Sequence, residues 1–346
     1  MRQPVMRALA VGIAACGLMC AGNAAAFDVS EIGSFHIGGR TVTLEGLPGR
    51  ELFYTSSAGT PLKVDPNGDY QVEQMYVHYV KLAQPKAKYP LLMVHGGGMT
   101  GVNWETTPDG RPGFQMYFLQ HGHDVYTSDS VERGRASFAR PEIWKSEPFF
   151  PVARATWELA RIGPPGSYQT DPAKRVAYPD SKFPVAAFER LMKERVPRWT
   201  SNDAATQTAY DLYVQRVCPC VIMAHSTGGP FALNMALHAP DKVKALILLE
   251  PAGAPDPVKE EISKLRNVPH LYVWADHTSD EPSMKVVIPL AARWRDALAG
   301  IGASIDWIEL PKLGITGNTH ILMMDVNNLQ IADLIQGWMA KQELMK

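Results

Sequence analysis

A short segment of the sequence presents a serine where an enzyme nucleophile would be expected. Residues 224–229 read AHSTGG, directly after an apolar, strand-like stretch and directly before a predicted helix. A strand, a sharp turn and a helix in this order project the hydroxyl of Ser226 above a sheet. The turn requires small residues two positions before and after the serine, because the two backbones crowd together there. Ala224 and Gly228 meet that requirement, although glycine is more usual at the first position. The alternative is that Ser226 only caps the helix.

A glycine-rich segment further upstream is typical of a loop that stabilises a negatively charged oxygen. Residues 95–98 read HGGG and follow another apolar stretch. A carbonyl oxygen that becomes negative during attack needs backbone N–H groups already aimed at it, each contributing about 3 kcal/mol. We expect these donors to be the amides of Thr227 and of Gly97 or Gly98. The continuation needed for a phosphate-binding loop is missing, and His95 is expected to brace the loop.

The general base is predicted to be one of the ten histidines. It must come from a loop near the serine, in the chain order serine, acid, histidine. His320 fits best, because it follows the last predicted strand and precedes a closing helix. His225 is expected to point away from the base because it adjoins the serine. His277, beside another strand end, is a weaker candidate.

Two carboxylates could orient that histidine. Asp276 ends one predicted strand, and Glu250 ends the preceding one. Both therefore lie where sites in open α/β sheets gather, at the carboxyl ends of strands. Glu250 adjoins an apolar stretch, where an unpaired carboxylate would be costly, and its extra methylene gives it greater reach. These arguments favour Glu250 and leave Asp276 as the alternative acid.

The pattern of apolar stretches predicts the elements that must position these residues. From residue 89 onward, short apolar stretches alternate with helical segments, which predicts an α/β fold with a mostly parallel sheet flanked by helices. The strands of this part are predicted at 91–94, 125–127, 221–223, 243–249, 271–274 and 305–310. Strand-like stretches before residue 84, of which the last is the longest, predict antiparallel edge strands at 41–44, 52–54 and 71–80.

Residues 137–199 interrupt this alternation and are rich in proline and aromatic residues. A segment this long between strands is usually a lid or a binding loop. Its aromatic side chains could line an apolar pocket or merely attach the segment to the body. The predicted organisation is one domain over 27–346 with a lid insertion at about 137–199.

The first 26 residues are predicted to be a secretory signal peptide. Arg2 and Arg7 precede an apolar stretch, and residues 24–26 read AAA, so cleavage is expected after Ala26. Lipoprotein processing at Cys16 is the less favoured alternative. The mature protein would be periplasmic or secreted, with no integral membrane span.

Two cysteines remain after such processing, Cys218 and Cys220, on either side of Pro219. An oxidising compartment would let them pair, yet residues i and i+2 of an extended chain lie at about the 7 Å limit for a disulfide. The alternative is that both are small apolar residues entering a strand. Neither belongs to a metal-binding set.

Composition narrows the range of partners. The 346 residues include 46% hydrophobic and 20% charged residues, which is typical of a globular protein. A net charge of -1 without runs of like charge argues against nucleic acid as a partner. No cofactor and no metal are predicted. The oligomeric state is left open, a homo-oligomer included.

Taken together, these motifs resemble the α/β-hydrolase superfamily over residues 89–345. Further segments are similar to a branch of secreted bacterial serine carboxylesterases: GMTG at 98–101, WETTPDGR at 104–111, LEP at 249–251 and GNTH at 317–320. In that branch the acid is a glutamate after the sixth strand. The resemblance therefore implies a triad of Ser226, Glu250 and His320 and hydrolysis of a small-molecule ester through an acyl-enzyme on the serine.

Other activities stay open at this point. An amidase, a thioesterase or an acyltransferase would use the same residues, and a binding protein could be built on the same scaffold. A haloalkane dehalogenase would need an aspartate at position 226, where this chain has a serine.

Overall fold

An eight-stranded, mostly parallel sheet forms the centre of the structure, a computed structural model that describes residues 27–57 and 59–346. The strands are β1 (Val29–Leu44), β2 (Arg50–Leu52), β3 (Leu62–Val64), β4 (Gly68–Leu82), β5 (Leu91–Val94), β6 (Val125–Asp129), β7 (Cys220–His225), β8 (Val243–Leu249), β9 (His270–Trp274) and β10 (Ile305–Glu309). The sheet has the order β1-β4-β6-β5-β7-β8-β9-β10, while β2 and β3 form a separate antiparallel pair. The predicted α/β-hydrolase fold, with its mostly parallel sheet, is confirmed.

Helices cover both faces of this sheet. They are α1 (Val102–Glu105), α2 (Phe114–Gln120), α3 (Ala153–Leu159), α4 (Phe188–Glu194), α5 (Asp203–Val217), α6 (Gly228–His238), α7 (Met284–Gly300) and α8 (Asn328–Lys341). Within the described part of the chain, no helix is both long and apolar enough to cross a membrane. The predicted signal peptide, its cleavage after Ala26 and the alternative at Cys16 lie outside the described residues.

The side chains of β7 alternate between two hydrophobic cores. Val221 and Met223 pack into one core with residues of α2 and α8. Cys220, Ile222 and Ala224 pack into the other with residues of α5, α6 and α7. Because successive side chains of a strand point to opposite faces, a strand covered on both sides must be apolar throughout. This explains the continuous apolar stretches in the sequence.

The antiparallel edge of the sheet is longer than the sequence suggested. β1 has 16 residues and pairs along its length with β4, which has 15. Only 41–44 and 71–80 were predicted there, because much of β1 is solvent-exposed and lacks a continuous apolar stretch. The parallel part runs from β6 to β10, so the carboxyl ends of β5, β7 and β8 lie side by side at one edge.

The segment 137–199 contains α3 and α4 between β6 and α5. Three of its aromatic side chains, Trp157, Phe183 and Phe188, are buried in the core that also contains α2 and α8. Phe149 is exposed in large part and lines the pocket above the sheet. The aromatic residues thus divide between attachment to the body and the pocket wall.

A disulfide joins Cys218 and Cys220, with their Cα atoms 4.4 Å apart. The chain bends at Pro219, directly before β7 begins. The spacing argued from an extended chain was therefore wrong for this segment, because the bend shortens the distance between the two cysteines.

Candidate active site

Ser226 lies in the sharp turn between β7 and α6, with a backbone φ of 51°. The turn brings α6 very close to neighbouring backbone. A Cβ atom on Gly228 would lie 2.8 Å from the carbonyl oxygen of His95, and one on Gly229 would lie 2.5 Å from Cβ of Pro251. Larger residues at these two positions would push the helix away from the sheet. The glycines therefore let the chain hold the serine at the end of β7.

Ser226, His320 and Glu250 form one hydrogen-bonded chain. The Ser226 hydroxyl lies 3.0 Å from Nε2 of His320 and can donate its proton there. On the other side of the ring, Nδ1 donates to Oε2 of Glu250 at 2.6 Å. The serine is 8% exposed, the histidine 5% and the glutamate 0%. The arrangement lets a proton move from the hydroxyl to the imidazole while the carboxylate fixes the tautomer of the ring.

The alternative acid, Asp276, is directed elsewhere. Its carboxylate accepts the N–H of His277 at 2.7 Å and the N–H of Gly317 at 2.9 Å. His277 in turn lies 3.1 Å from the carboxylate of Asp180. Of the two carboxylates that the sequence offered, only Glu250 contacts the imidazole of His320.

Asp180, Asp276 and His277 also bring three donor atoms within 4.8 Å of one another. The imidazole of His277 stacks on the ring of Tyr178, with centroids 3.7 Å apart. The hydrogen bonds to His277 and Gly317 already occupy the Asp276 carboxylate. These contacts account for the cluster as a brace between loops at the surface.

The expectation that His225 points away from the base is wrong. Its ring centroid lies 4.7 Å from that of His320, and its Nε2 donates to the backbone carbonyl of His320 at 2.8 Å. The expectation rested on the alternation of side chains along a strand, which the left-handed turn at Ser226 breaks. Burial lowers the pKa of His225 well below its usual range, and a charge on His320 would lower it further. A neutral His225 therefore supports the backbone of His320.

Arg161, which the sequence analysis did not identify, makes the second contact with the acid. Its Nη2 lies 2.6 and 2.7 Å from the two carboxylate oxygens of Glu250, and its Nε donates to the carbonyl of Asp276 at 2.7 Å. Burial alone would raise the pKa of Glu250, but the charge of Arg161 and the hydrogen bond with His320 outweigh it and lower the pKa to about 2. The acid is therefore held as a carboxylate.

The sequence contained one signal for this ion pair. A carboxylate that adjoins an apolar strand needs a buried cation, since an unpaired charge there is costly. The spacing along the chain does not say which of the 34 lysines and arginines supplies it. Arg161 lies in the segment 137–199, far from Glu250 in sequence, so only the folded chain reveals the pair.

Three residues of this network share a backbone conformation that is rare outside glycine. The φ angles are 51° for Ser226, 46° for Glu250 and 56° for Arg161. Residues with side chains reach this left-handed region only at an energetic cost, which persists where the surrounding contacts fix the conformation. The three turns aim the serine, the acid and its cation at a common point.

The glycine loop after β5 borders the serine. Gly97, Gly98 and Thr227 line, together with Ser226 and His320, a pocket of about 120 Å³. Gly98 has a φ of 63°, which a residue with a side chain rarely adopts. The three residues predicted to stabilise an oxyanion thus line the same pocket as the serine.

His95 links the glycine loop to Ser130, the residue after β6, through hydrogen bonds of its ring. Its Nδ1 donates to the carbonyl of Gly96 at 2.8 Å, and its Nε2 accepts the N–H of Ser130 at 3.1 Å. Burial lowers the pKa of His95 to about 4, and the charge of Arg133 acts in the same direction. The neutral ring therefore pairs the carbonyl of Gly96 in one loop and the N–H of Ser130 in the other.

Asp325, which the sequence analysis did not identify, holds the loop that carries His320. Its carboxylate accepts hydrogen bonds from the side chain of Asn318 at 2.9 Å and from the hydroxyl and N–H of Thr319 at 2.7 and 2.8 Å. Burial raises the pKa of Asp325 to about 6, although these hydrogen bonds act against the rise. The loop is thereby fixed just before the histidine.

Comparisons with known proteins find similar sequences and a similar fold. A family profile described as "alpha/beta hydrolase fold" matches residues 219–276, the region from the serine turn past Glu250. The solved structure of a novel bacterial esterase is 31% identical, covers 92% of this chain and 97% of its own, and superposes with a TM-score of 0.77. A probable secreted lipase, phiG, of a fungal species (strain ATCC 74256) is 26% identical over 326 residues, covering 80% of this chain and 88% of the lipase. Lipase LipV of Mycobacterium tuberculosis is 38% identical over 85 residues, or 24% of this chain and 33% of LipV.

Proposed function

The chain belongs to the α/β-hydrolase family, among hydrolases of the esterase and lipase type, and we propose that it cleaves carboxylic esters through an acyl-enzyme on Ser226. The observation that carries the proposal is the buried chain of hydrogen bonds from Ser226 through His320 to Glu250. A binding protein on the same scaffold would have no need for a serine hydroxyl 3.0 Å from an imidazole that a carboxylate orients.

In the first step, Nε2 of His320 accepts the proton of the Ser226 hydroxyl while the oxygen attacks the ester carbonyl. The negative charge of Glu250 stabilises the imidazolium that forms. Because the charge of Arg161 helps to lower the pKa of Glu250 to about 2, the carboxylate stays ionised at every pH at which such an enzyme would work. The acid therefore does not take up the proton itself.

The tetrahedral intermediate carries its negative charge on the former carbonyl oxygen. We assign its stabilisation to the amides of Thr227 and of Gly97 or Gly98, which border the serine in the pocket. The imidazolium of His320 then donates its proton to the departing alcohol oxygen, the bond from carbon to that oxygen breaks, and the acyl group stays on Ser226.

Water completes the cycle by the same route. His320 accepts a proton from the water while the oxygen attacks the acyl-enzyme, and then returns the proton to the serine as the carboxylic acid leaves. Every proton transfer uses Nε2. Glu250, which accepts a hydrogen bond from Nδ1, therefore orients the ring throughout the cycle.

We further propose that residues 137–199 act as a lid and that the enzyme works outside the cytoplasm. Phe149 and Leu159 of this segment line the pocket over Ser226, which supports a role as a lid.

Three observations support a location outside the cytoplasm. The disulfide of Cys218 and Cys220 is of a kind formed in oxidising compartments. The signal-like residues 1–26 and the likeness to a probable secreted lipase agree with export.

The test is steady-state hydrolysis of p-nitrophenyl esters of graded acyl length by wild type and by Ser226→Ala. We expect kcat to fall by about 10,000-fold or more in Ser226→Ala, with a folded protein by circular dichroism. Ser263→Ala, which changes an exposed serine, is the matched control and should retain wild-type kcat. Full turnover by Ser226→Ala would overturn the proposal.

A further inference from the structure

Two arginine side chains, Arg195 and Arg198, line the pocket over Ser226. A Cβ atom on Gly98 would lie 3.0 Å from Nη2 of Arg195, and one on Gly97 would lie 3.1 Å from Nη1 of Arg198. Both guanidinium groups therefore lie against the glycine loop. The proposed mechanism gives neither of them a task.

The backbone around these two arginines is fixed. The residue after Arg195, Val196, donates its N–H to the carbonyl of Gly98 at 3.1 Å. Arg198 exchanges two backbone hydrogen bonds with Phe149, at 2.7 and 3.0 Å. The guanidinium groups thus extend from backbone that is tied to the glycine loop and to Phe149, which also lines the pocket, and this makes the positive region preorganised.

The two positive charges are poorly neutralised. Within residues 27–57 and 59–346, Arg195 forms no ion pair, and the one ion-pair partner of Arg198 is the half-exposed carboxylate of Asp203 at 3.8 Å. The Nε atoms of both arginines are buried and have no hydrogen-bond acceptor in this part of the chain. Burial lowers the pKa of Arg195 to about 10, and no neighbouring carboxylate offsets the effect.

A third arginine adds to the same positive region. Arg133 is 5% exposed, and its Nη1 donates to the carbonyl of Gly96 at 3.4 Å. Burial lowers the pKa of Arg133 to about 10, and the charges of Arg198 and Arg195 act in the same direction. Three guanidinium groups that repel one another beside a nucleophile are costly unless a negative ligand compensates them.

The chemistry of the ligand follows from these groups. Guanidinium groups are planar, permanently charged at neutral pH, and well suited to bind a carboxylate through two parallel hydrogen bonds. The pocket of about 120 Å³ has room for a short acyl chain. A groove of about 460 Å³ shares Arg198 and Thr227 with it, so Arg198 lines both cavities.

We propose that the preferred esters of this enzyme carry a carboxylate, which Arg195 and Arg198 bind beside Ser226. The inference rests on the proposed esterase function and specifies its substrate class: half-esters of short dicarboxylic acids and related anionic esters. The alternative is that the arginines act on the oxyanion of any ester. In that case their removal would affect charged and neutral esters equally.

The experiment compares two esters of matched size, mono-p-nitrophenyl glutarate and its neutral methyl ester. We expect wild type to favour the anionic ester in kcat/KM by at least about tenfold, since a hydrogen bond to a charged group contributes more than a neutral one. Arg195→Gln and Arg198→Gln should each lower this ratio at least about tenfold. Arg195→Lys and Arg198→Lys, which retain the charge, should restore part of it.

Arg154→Gln is the matched control, because Arg154 is an exposed arginine of the same segment, and its ratio should equal that of wild type. A wild-type ratio near one, or an equal loss on both esters in the glutamine variants, would overturn the inference. Thermal melts establish that each variant is folded.

Binding of glutarate, measured by isothermal titration calorimetry, tests the inference without turnover. Wild type and Ser226→Ala should bind glutarate, and Arg195→Gln should bind it at least about tenfold more weakly. Absence of hydrolysis of either ester together with glutarate binding would refute the proposed function but retain the anion site. Hydrolysis without glutarate binding would retain the function and refute the anion site.

Discussion

The ends of two adjacent parallel strands, β8 and β9, each carry a carboxylate, yet only one of them contacts the imidazole. Glu250 directly follows β8, and its carboxylate accepts hydrogen bonds from His320 and Arg161. Asp276 follows β9, and its carboxylate accepts the backbone N–H groups of two loop residues. A position at the carboxyl end of a strand is therefore insufficient to bring a carboxylate to the imidazole of His320.

The difference between the two strand ends lies in their surroundings. Glu250 has a left-handed backbone that turns its side chain toward the histidine, and a buried cation compensates its charge. Asp276 contributes through its backbone, because its carbonyl accepts the Nε–H of Arg161. The end of β8 thus supplies the carboxylate that contacts His320, and the end of β9 holds the arginine that helps to keep this carboxylate ionised.

Neutralising each carboxylate in turn is the strongest test of the difference between the two strand ends. Glu250→Gln should lower kcat about 1,000- to 10,000-fold, because an amide no longer fixes the tautomer of His320 or stabilises its cation. Asp276→Asn should lower it less than about tenfold, since the amide oxygen can still accept a backbone N–H. Hydrolysis of a p-nitrophenyl ester measures both. The reverse order of losses would identify Asp276 as the acid.

Removing the cation tests how far the buried ion pair distinguishes the end of β8 from that of β9. Arg161→Met leaves the buried carboxylate of Glu250 unpaired, and we expect the free energy of unfolding to fall by about 3–5 kcal/mol. Urea denaturation at pH 7 measures the change, with Arg154→Met as the exposed control. Adding Glu250→Gln to Arg161→Met should recover part of the loss. A change within about 0.5 kcal/mol of the control would contradict the assigned role of the ion pair.

The pH dependence of stability sharpens the same contrast. The pKa of Glu250 is lowered from 4.5 to about 2, so its ionisation stabilises the folded state above about pH 5, and this stabilisation is lost as the pH falls toward 2. The full effect corresponds to about 3 kcal/mol. Asp325 has the opposite effect, because burial raises its pKa to about 6. Its contribution to the stability of the folded state is lost as the pH rises from about 4 to 6.

Subtraction isolates the contribution of Glu250. Wild type and Glu250→Gln both contain Asp325, so its effect cancels in the difference between their unfolding free energies at each pH. We expect that difference to shrink by about 3 kcal/mol from pH 5 to pH 2. Parallel curves in urea denaturation over this range would show that the acid is not held ionised by its surroundings.

The smallest effect is expected at the opposite end of β7, where the disulfide lies. Cys218 and Cys220 are separated by only two positions, so the bond restricts little of the unfolded chain, and replacing both by alanine should cost about 1–2 kcal/mol. The kcat of the double variant should stay within about twofold of wild type. A large loss of activity would show that the start of β7 also controls the serine turn at its end.

The parts of the site that sequence could predict are those encoded locally. The turn at Ser226 needs small residues next to it, and the glycine loop needs residues without side chains, so both leave a pattern within a few positions. Chain order predicts His320 as the general base. The preference for Glu250 drew on its reach and on a family resemblance, because spacing alone left Asp276 open.

The parts that sequence could not predict depend on contacts between distant segments. Arg161 meets Glu250, and Asp325 holds the loop of His320, through pairings that no spacing encodes. Strand alternation predicts the wrong direction for the side chain of His225, because the alternation stops at the left-handed residue Ser226. Extended geometry overestimates the distance between Cys218 and Cys220, because the chain bends at Pro219.

The most direct test of the central claim is covalent labelling with an organophosphorus fluoride, followed by peptide mass spectrometry. A serine activated by His320 and Glu250 should take up one equivalent, found on the peptide that contains Ser226. Asp276→Asn should react at nearly the wild-type rate, and Glu250→Gln much more slowly. Stoichiometric labelling of another residue, or undiminished labelling of Ser226→Ala, would contradict the account.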